Sequence, residues 1–518
     1  MAPSESEAPA SRAAPFEVAG PPETEATKAR REASVVLLTT IGTLMVAIDS
    51  TIVILALPTM ARDLASPLET VIWTILIYLL VTTVLTTQAG RLGDVLGRGR
   101  VYNLGFAVFT VGSAMCGFAP STEFLIASRG VQAIGGAMLW ANSPAVITAA
   151  IPALRRGRAF GFIVLGYSIG AILGILLGGV ITSLIGWRYI FFINLPIGAV
   201  AVALGLRTLP RTGRVRAQFD LPGFVVFSAA LALICYGAIE IASYGTSALN
   251  LDYVLAGLAL VPVFALIELR AAQPMIDLHL LRNRALGLSL SALFFLSIGY
   301  LSVIFLLTMY LQGLRGLSPL DASLLLVPGY IVGAIAGPYF GRQVDRLGVR
   351  VLMSLGVVML VVTVLGYSTL TVNSWLGWIP LISLTQGIGA GMFYPANSSA
   401  IMNRAPPSAL GSISGLRGTL GNMGMLLSFV LTLTIASVSI PRYVAYGVFL
   451  GTTNLVGGVG GQFLNGIHVA LLGSAAILAV TAVLAWSSGN LSPANAPGAE
   501  LEPRADAGRS PAELDADP

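Results

Sequence analysis

An aspartate inside an apolar run is the residue of this chain whose chemistry demands an explanation first. Asp49 lies in IDSTIVILALP, residues 48–58, with an apolar turn on either side. A carboxylate at such a place costs about 2.5–3.5 kcal/mol on insertion scales and is functional by default. Removal from water favours the neutral form of a carboxyl group, so it can take up a proton near neutral pH and release it to water. That is what a proton-coupling group needs; the plain alternative is a structural hydrogen bond to a neighbouring helix. Arg129, about one-third of the way along a later apolar run, cannot give up its charge and must find an acceptor inside. Asp49 is its natural partner, in a pair closed when the carboxylate is ionised and released when it is protonated. The alternative for Arg129 is bonding to backbone carbonyls that fixes its helix. Glu240 ends another apolar run. It reads as a helix end facing water or, if it faces a cavity, as a second site for protons or cations.

Other polar groups inside apolar runs are Trp140, Asn142, Gln386, Tyr394, Asn397 and Asn422. Polar groups there tend to face the bundle interior, so these six are the expected lining of a substrate cavity, some of them serving only as bonds between helices. An aromatic, weakly polar cavity with one acid suits lipophilic cations through cation–π contacts and a counter-charge. Gly166, Gly170, Gly174 and Gly178 recur every fourth residue, followed by Gly179. They mark one helix face that lets another backbone approach closely, read as a seal against leak between the halves of the molecule.

Composition closes off other chemistry. Of the 518 residues only 10% are charged, against about 25% in an ordinary soluble protein. Hydrophobic residues make up 55% and the mean hydropathy is +0.84, which fits an integral membrane protein. Lys28 is the single lysine, so no lysine can face nucleotide phosphates in a P-loop and no such ATP motor is expected. Two histidines, His279 and His468, and two cysteines, Cys116 and Cys235, cannot assemble a zinc cluster. No metal, cofactor, disulfide or enzymatic activity is expected. The net charge of +5 comes from arginines scattered between apolar runs, which does not point to nucleic acid.

Runs of roughly 20 apolar residues, the length needed to span a bilayer, occur at about 34–58, 71–92, 101–119, 122–150, 158–183, 189–207, 220–241, 252–270, 285–312, 321–341, 350–370, 376–401, 410–438 and 465–486. Fourteen spans put both tails on one side. With the tails in the cytoplasm, only Arg62, Arg129, Arg188, Arg315 and Arg442 of the 29 basic residues fall elsewhere, as the positive-inside rule requires. The tails, 1–33 and 487–518, are rich in Ala, Pro, Ser and Glu and read as disordered. The segment 439–464 is long for a loop and reads as an outer hairpin or a membrane-surface dip.

An internal repeat organises the spans. GRLGDVLGRGR (90–100) and GRQVDRLGVR (341–350) share the pattern G-R-x-x-D-x-x-G, eight spans apart. The chain therefore reads as a six-span half (34–207), an inserted pair (208–284) and a second six-span half (285–486). Two related halves around a central site are how many secondary transporters are built.

GRLGDVLGRGR resembles the loop signature of the major facilitator superfamily. RGVQAIGGAM (129–138) is similar to its span-four motif with a buried Arg. IDSTIVILALP and WRYIFFINLPIG (187–198), with the fourteen spans, resemble the drug:proton antiporter branch. GAILGILLGG (170–179) matches the antiporter pattern G-x-x-x-G-P-x-x-G-G except at Ile175, which stands at the proline position. The resemblance implies an all-α integral membrane protein of the major facilitator fold, with fourteen transmembrane helices. It also implies a gating clamp of Gly90, Arg91, Gly93, Asp94, Gly97 and Arg98, with Arg342, Asp345 and Arg346 as counterparts. The expected function is proton-coupled efflux of lipophilic or cationic small molecules by alternating access. The expected protein is a monomer in the plasma membrane whose partners are protons, substrate and lipid, with no nucleic acid. The alternatives are a proton-coupled transporter of a defined metabolite or lipid, and a non-transporting receptor or subunit.

Overall fold

The computed structural model describes residues 25–209, 220–245, 247–276, 278–404, 410–439 and 459–489. Among these, fourteen long helical units follow one another, each over one of the expected apolar runs. They are α1 (Glu25–Asp63), α2 (Trp73–Leu96), α3 (Arg98–Gly117), α4 (Thr122–Ala150), α5 (Ala153–Leu184), α6 (Asn194–Thr208, after a turn at Tyr189–Phe192) and α7 (Leu221–Tyr244). After these come α8 (Ala248–Arg270), α9 (Arg284–Tyr300, running on through Val303–Thr308 and a π-helical Met309–Leu314), α10 (Pro319–Leu347), α11 (Val349–Tyr367), α12 (Trp378–Arg404), α13 (Leu410–Ser439) and α14 (Val459–Ser487). Helices are the only open-ended elements that satisfy their own backbone in lipid. Twelve of the units are long and apolar enough to cross a membrane. The other two, α3 and α12, are diluted by Gly, Asn, Gln and Arg, and they carry residues that matter below.

Two boundaries differ from expectation. The structure starts α1 at Glu25, not near residue 34, so residues 25–33 of the expected disordered tail are helical. EATKARREA is rich in Ala, Glu, Lys and Arg, strong helix formers that extend an already nucleated helix. At the other end α14 starts at Val459, within the segment read as an outer hairpin; residues 440–458 of that segment lie outside the described residues.

Helices α1 to α6 pack on one another, as do α9 to α14, and the two groups meet along α5 against α10 and α2 against α13. The pair α7–α8 packs together, and α7 leans on α13, to which Thr434 Oγ1 adds a bond to the Ala238 carbonyl at 3.2 Å. Far from the tails, the two groups are joined where Gln312 Nε2 donates to the Leu55 carbonyl at 3.1 Å and the Leu320 amide donates to Ser183 Oγ at 3.1 Å.

The glycine stripe on α5 does something other than expected. A Cβ on Gly170 would lie 2.7 Å from Ala47 Cβ and 2.8 Å from the Leu44 carbonyl oxygen, and one on Gly178 would lie 2.8 Å from the Ile52 carbonyl oxygen. Gly166 and Gly174 meet Thr40 and Ile48 in the same register. The stripe therefore seats α5 on α1 within one half and does not seal the halves against each other. Gly179, pointing the other way, faces Pro319 and Ser323 of α10 and is the member that lies between the halves. With Ile175 in place of proline, α5 runs unbroken and Ile175 is buried, consistent with the kink that an interior proline introduces and Ile does not.

Candidate functional site

Asp49 and Arg129 meet. Arg129 Nη1 donates to Asp49 Oδ2 at 2.6 Å, and the two residues are 1% and 0% exposed. Two further hydrogen bonds hold the guanidinium: Nη1 reaches Gln132 Oε1 at 2.6 Å and Nε the Thr74 carbonyl at 2.9 Å. Its face lies 4.2 Å from the centroid of the Tyr78 ring and 5.8 Å from that of Phe191. Gln132 Nε2 donates to Asp49 Oδ1 at 2.8 Å and to Ser113 Oγ at 2.7 Å, and Asn194 Nδ2 donates to the same hydroxyl at 3.0 Å. Side chains or carbonyls from α1, α2, α3, α4 and α6 thus converge on one buried charge pair.

The physical consequence is sensitivity to charge. Breaking a buried pair by neutralising one partner is costly, about 3–5 kcal/mol, because the other charge is left without compensation. A proton on Asp49 does that to Arg129. Because five helices share the network, the change reaches most of one half at once. With Asp49 sealed from solvent in this conformation, a proton must await a rearrangement.

Gln132, Ser113, Asn194 and Tyr78 were not among the residues singled out in the sequence. A signal for Gln132 exists: QAIGGAM (132–138) lines up with QGIGAGM (386–392) across the internal repeat, pairing Gln132 with Gln386 and Trp140 with Tyr394. Gln386 accepts from Tyr367 OH at 3.3 Å and lines a cavity of about 30 Å³ with Tyr300, Leu301, Leu326 and Tyr330. The cavity abuts the break in α9 after Tyr300, and interrupted helices are where transporters place their sites.

The other expected residues separate. Asn142 is a clamp and not a cavity residue: its Nδ2 bonds the Ala89 and Met138 carbonyls at 3.0 Å each, and its Oδ1 presses on Gly93. Asn397 does the same in the second half, donating to the Ser289 carbonyl at 2.8 Å. Trp140 and Tyr394 are half-buried, and Trp140 packs on Tyr167 with centroids 5.8 Å apart. Asn422 is half-buried on α13. Glu240 is half-buried beside Tyr236 on α7, with no hydrogen bond or ion pair to Asp49 or Arg129. The structure does not bring it to the charge pair.

The loop motif is a helix junction. Gly97 has φ +102°, which an L side chain rarely adopts, and Gly348 repeats this at φ +81°. Asp94 holds Arg98 at 2.8 Å across the turn, both partly exposed. Arg91 reaches elsewhere: its Nη2 donates to the carbonyls of Gln273 and Pro274, at 2.7 and 2.6 Å, in the segment after α8. The inserted pair is therefore tied to the loop motif. Gly90 abuts Ala141 and its counterpart Gly341 abuts Pro395. Arg342 and Arg346 are exposed, and the side chain of Asp345 lies outside the described part. In WRYIFFINLPIG, Trp187 Nε1 and Arg188 Nη1 both donate to Asp63 Oδ2, at 2.8 and 2.5 Å, pinning the end of α1.

Two helical halves with a repeated junction motif, joined around a break in α9, and a charge pair sealed inside one of them, define a multi-pass membrane transporter of the alternating-access kind. Residues 39–429 match the Major Facilitator Superfamily, and the chain belongs to that family. It is 31% identical to the riboflavin transporter RibZ of Clostridioides difficile, over 76% of this chain and 86% of that protein. It is 29% identical to the multidrug resistance protein Stp of Mycobacterium tuberculosis, over 88% and 92%. A bacterial homologue of the human lysosomal transporter Spinster, solved inward-facing and unoccupied, shares the fold with a TM-score of 0.60 at 15% identity, over 89% of this chain and 99% of that one.

Proposed function

We propose that the protein exports lipophilic aromatic small molecules in exchange for protons, as a monomer in the plasma membrane with both tails in the cytoplasm. The observation that carries this reading is the buried network of Asp49, Arg129 and Gln132, which only a change in charge readily opens. Relatives that include a multidrug resistance protein support the substrate class, and the arginine count on the tail side supports the orientation. In the cycle, a proton from outside neutralises Asp49, the network opens, and the halves rock about the α5–α10 and α2–α13 contacts. Substrate leaves on one side and is replaced on the other. Each step is binding and motion with no covalent chemistry, and nucleic acid has no part in it. Asp94, Arg98 and Arg91 at the loop motif act as the gate. The decisive experiment places the purified chain in liposomes with an internal pH dye and adds a panel of lipophilic dyes. Substrate-triggered proton movement, lost in Asp49→Asn, is expected; movement unchanged in that variant refutes the assignment of the proton site. The riboflavin transporter among the relatives favours a second reading, export of one planar metabolite, which predicts proton movement with a single class of compound from the panel.

A further inference from the structure

The charge offered to the space between the halves is not Asp49, which is sealed and paired, but Arg417. This residue sits two turns into α13, where its Nη2 donates to Ser398 Oγ of α12 at 2.8 Å and its buried Nε has no acceptor. Among the described residues no carboxylate pairs with Arg417, whereas the buried Arg129 has Asp49. A guanidinium inside a helical bundle without a counter-charge is expensive, and it cannot escape by losing its proton.

Its surroundings are aromatic. The Ser398 hydroxyl that Arg417 reaches itself donates to the Tyr394 carbonyl at 2.8 Å, one turn earlier on α12. Tyr167 packs at a tilt on Trp140, and a Cβ on Gly418 would come within 3.1 Å of Trp140 Nε1, so α13 lies against this aromatic pair. Tyr167 is 45% exposed and sits beside the contact of Trp140 with Gly418, where α4 of one half meets α13 of the other. Tyr330 and Gln386 continue this lining to the small cavity at the α9 break.

We propose that the space between the halves binds a planar aromatic molecule carrying a negative charge, with Trp140, Tyr167 and Tyr394 against its faces and Arg417 at its anionic group. Aromatic side chains favour a flat ligand, and a guanidinium fork suits a carboxylate, sulfonate or phosphate. The inference deepens the transport reading and rests on it, but it concerns binding and is separable from proton coupling.

The test uses two dyes built on the same tricyclic core, anionic fluorescein and cationic rhodamine 123. Their binding to the full chain in phosphatidylcholine nanodiscs is followed by fluorescence anisotropy against empty nanodiscs. Fluorescein is expected to bind at least about tenfold more tightly than rhodamine 123, a difference of about 1.4 kcal/mol. Arg417→Gln should lose that preference, Arg417→Lys should retain part of it, and Gly161→Ala, which faces open space, should leave it intact. Preference for rhodamine 123, binding of neither dye, or an unchanged preference in Arg417→Gln overturns the proposal. Proton coupling, read separately with the pH dye, stands or falls without affecting this result.

Discussion

Replacing Asp49 by asparagine tests both the energetics and the mechanism. Arg129 lies 2.6 Å from the carboxylate, with both side chains shut off from solvent. Removing the charge leaves a buried guanidinium uncompensated, at about 3–5 kcal/mol. The amide also offers one acceptor where two donors, Arg129 Nη1 and Gln132 Nε2, point. A single charge falling through 100 mV supplies about 2.3 kcal/mol, so the same 3–5 kcal/mol corresponds to roughly 130–220 mV. A proton entering down a strong membrane gradient therefore has about the energy needed to hold the network open. The assay is thermal unfolding in detergent followed by tryptophan fluorescence, for wild type, Asp49→Asn, Arg129→Gln and the double variant. Both single variants should melt below wild type. The double variant, with no charge left to strand, should recover, with a coupling above about 1 kcal/mol. If Asp49→Asn melts with wild type, or if the double variant is no better than the singles, the pair is not the charged switch argued here.

Further outcomes follow from other contacts. Arg129→Lys should fail to restore proton coupling, because an ammonium cannot span Thr74, Asp49 and Gln132 in the fork that Arg129 uses; substrate-triggered proton movement checks it. Gly170→Val should abolish folded protein on expression, since even its Cβ meets Ala47 and Leu44 of α1, whereas Gly161→Ala, which faces open space, should express and unfold as wild type. Arg91→Ala should free the Gln273–Pro274 segment, seen as faster amide hydrogen exchange over 271–276, while leaving the Asp49 network protected.

Hydropathy made the fold readable. A run long enough to span lipid has one backbone solution, and every such run is a helix here. The charge pair was readable for a related reason: an arginine inside a span must find an acceptor, and few exist. The rotation of each helix about its axis was not legible, and that decides what a polar residue does. Asn142 and Asn397 sit at depths where a cavity residue belongs, yet they face neighbouring helices and bond carbonyls. The α5 glycines announced a close approach without saying whether α1 or α10 was the partner. Gln132 was hidden because a glutamine next to an arginine motif carries no charge signal, although its alignment with Gln386 across the repeat was present in the sequence.

That alignment carries a mechanistic consequence. The two halves keep glutamine at the same place and have filled its surroundings differently. Around Gln132 stand Asp49, Arg129, Ser113 and Cys116; around Gln386 stand Tyr367, Tyr300 and Tyr330. The bend in α9 is likewise held by neutral hydroxyls, Ser302 with Ser428 at 2.8 Å and with Thr432 at 2.6 Å. The buried ion pair is thus kept in one half, and an aromatic lining is kept mainly in the other. Proton and substrate then need not compete for a single carboxylate. Coupling must pass through an element present at both places, and α4 is that element: it carries Arg129 and Gln132 at the charge pair and, two turns further on, Trp140 at the aromatic lining. On the proposed coupling, a proton on Asp49 would release α4 at one level and shift Trp140 against Tyr167 at the other. The tryptophan fluorescence of a variant retaining Trp140 as its only tryptophan should therefore respond to Asp49→Asn in the absence of any substrate, and an unaltered spectrum would break this link between the two sites.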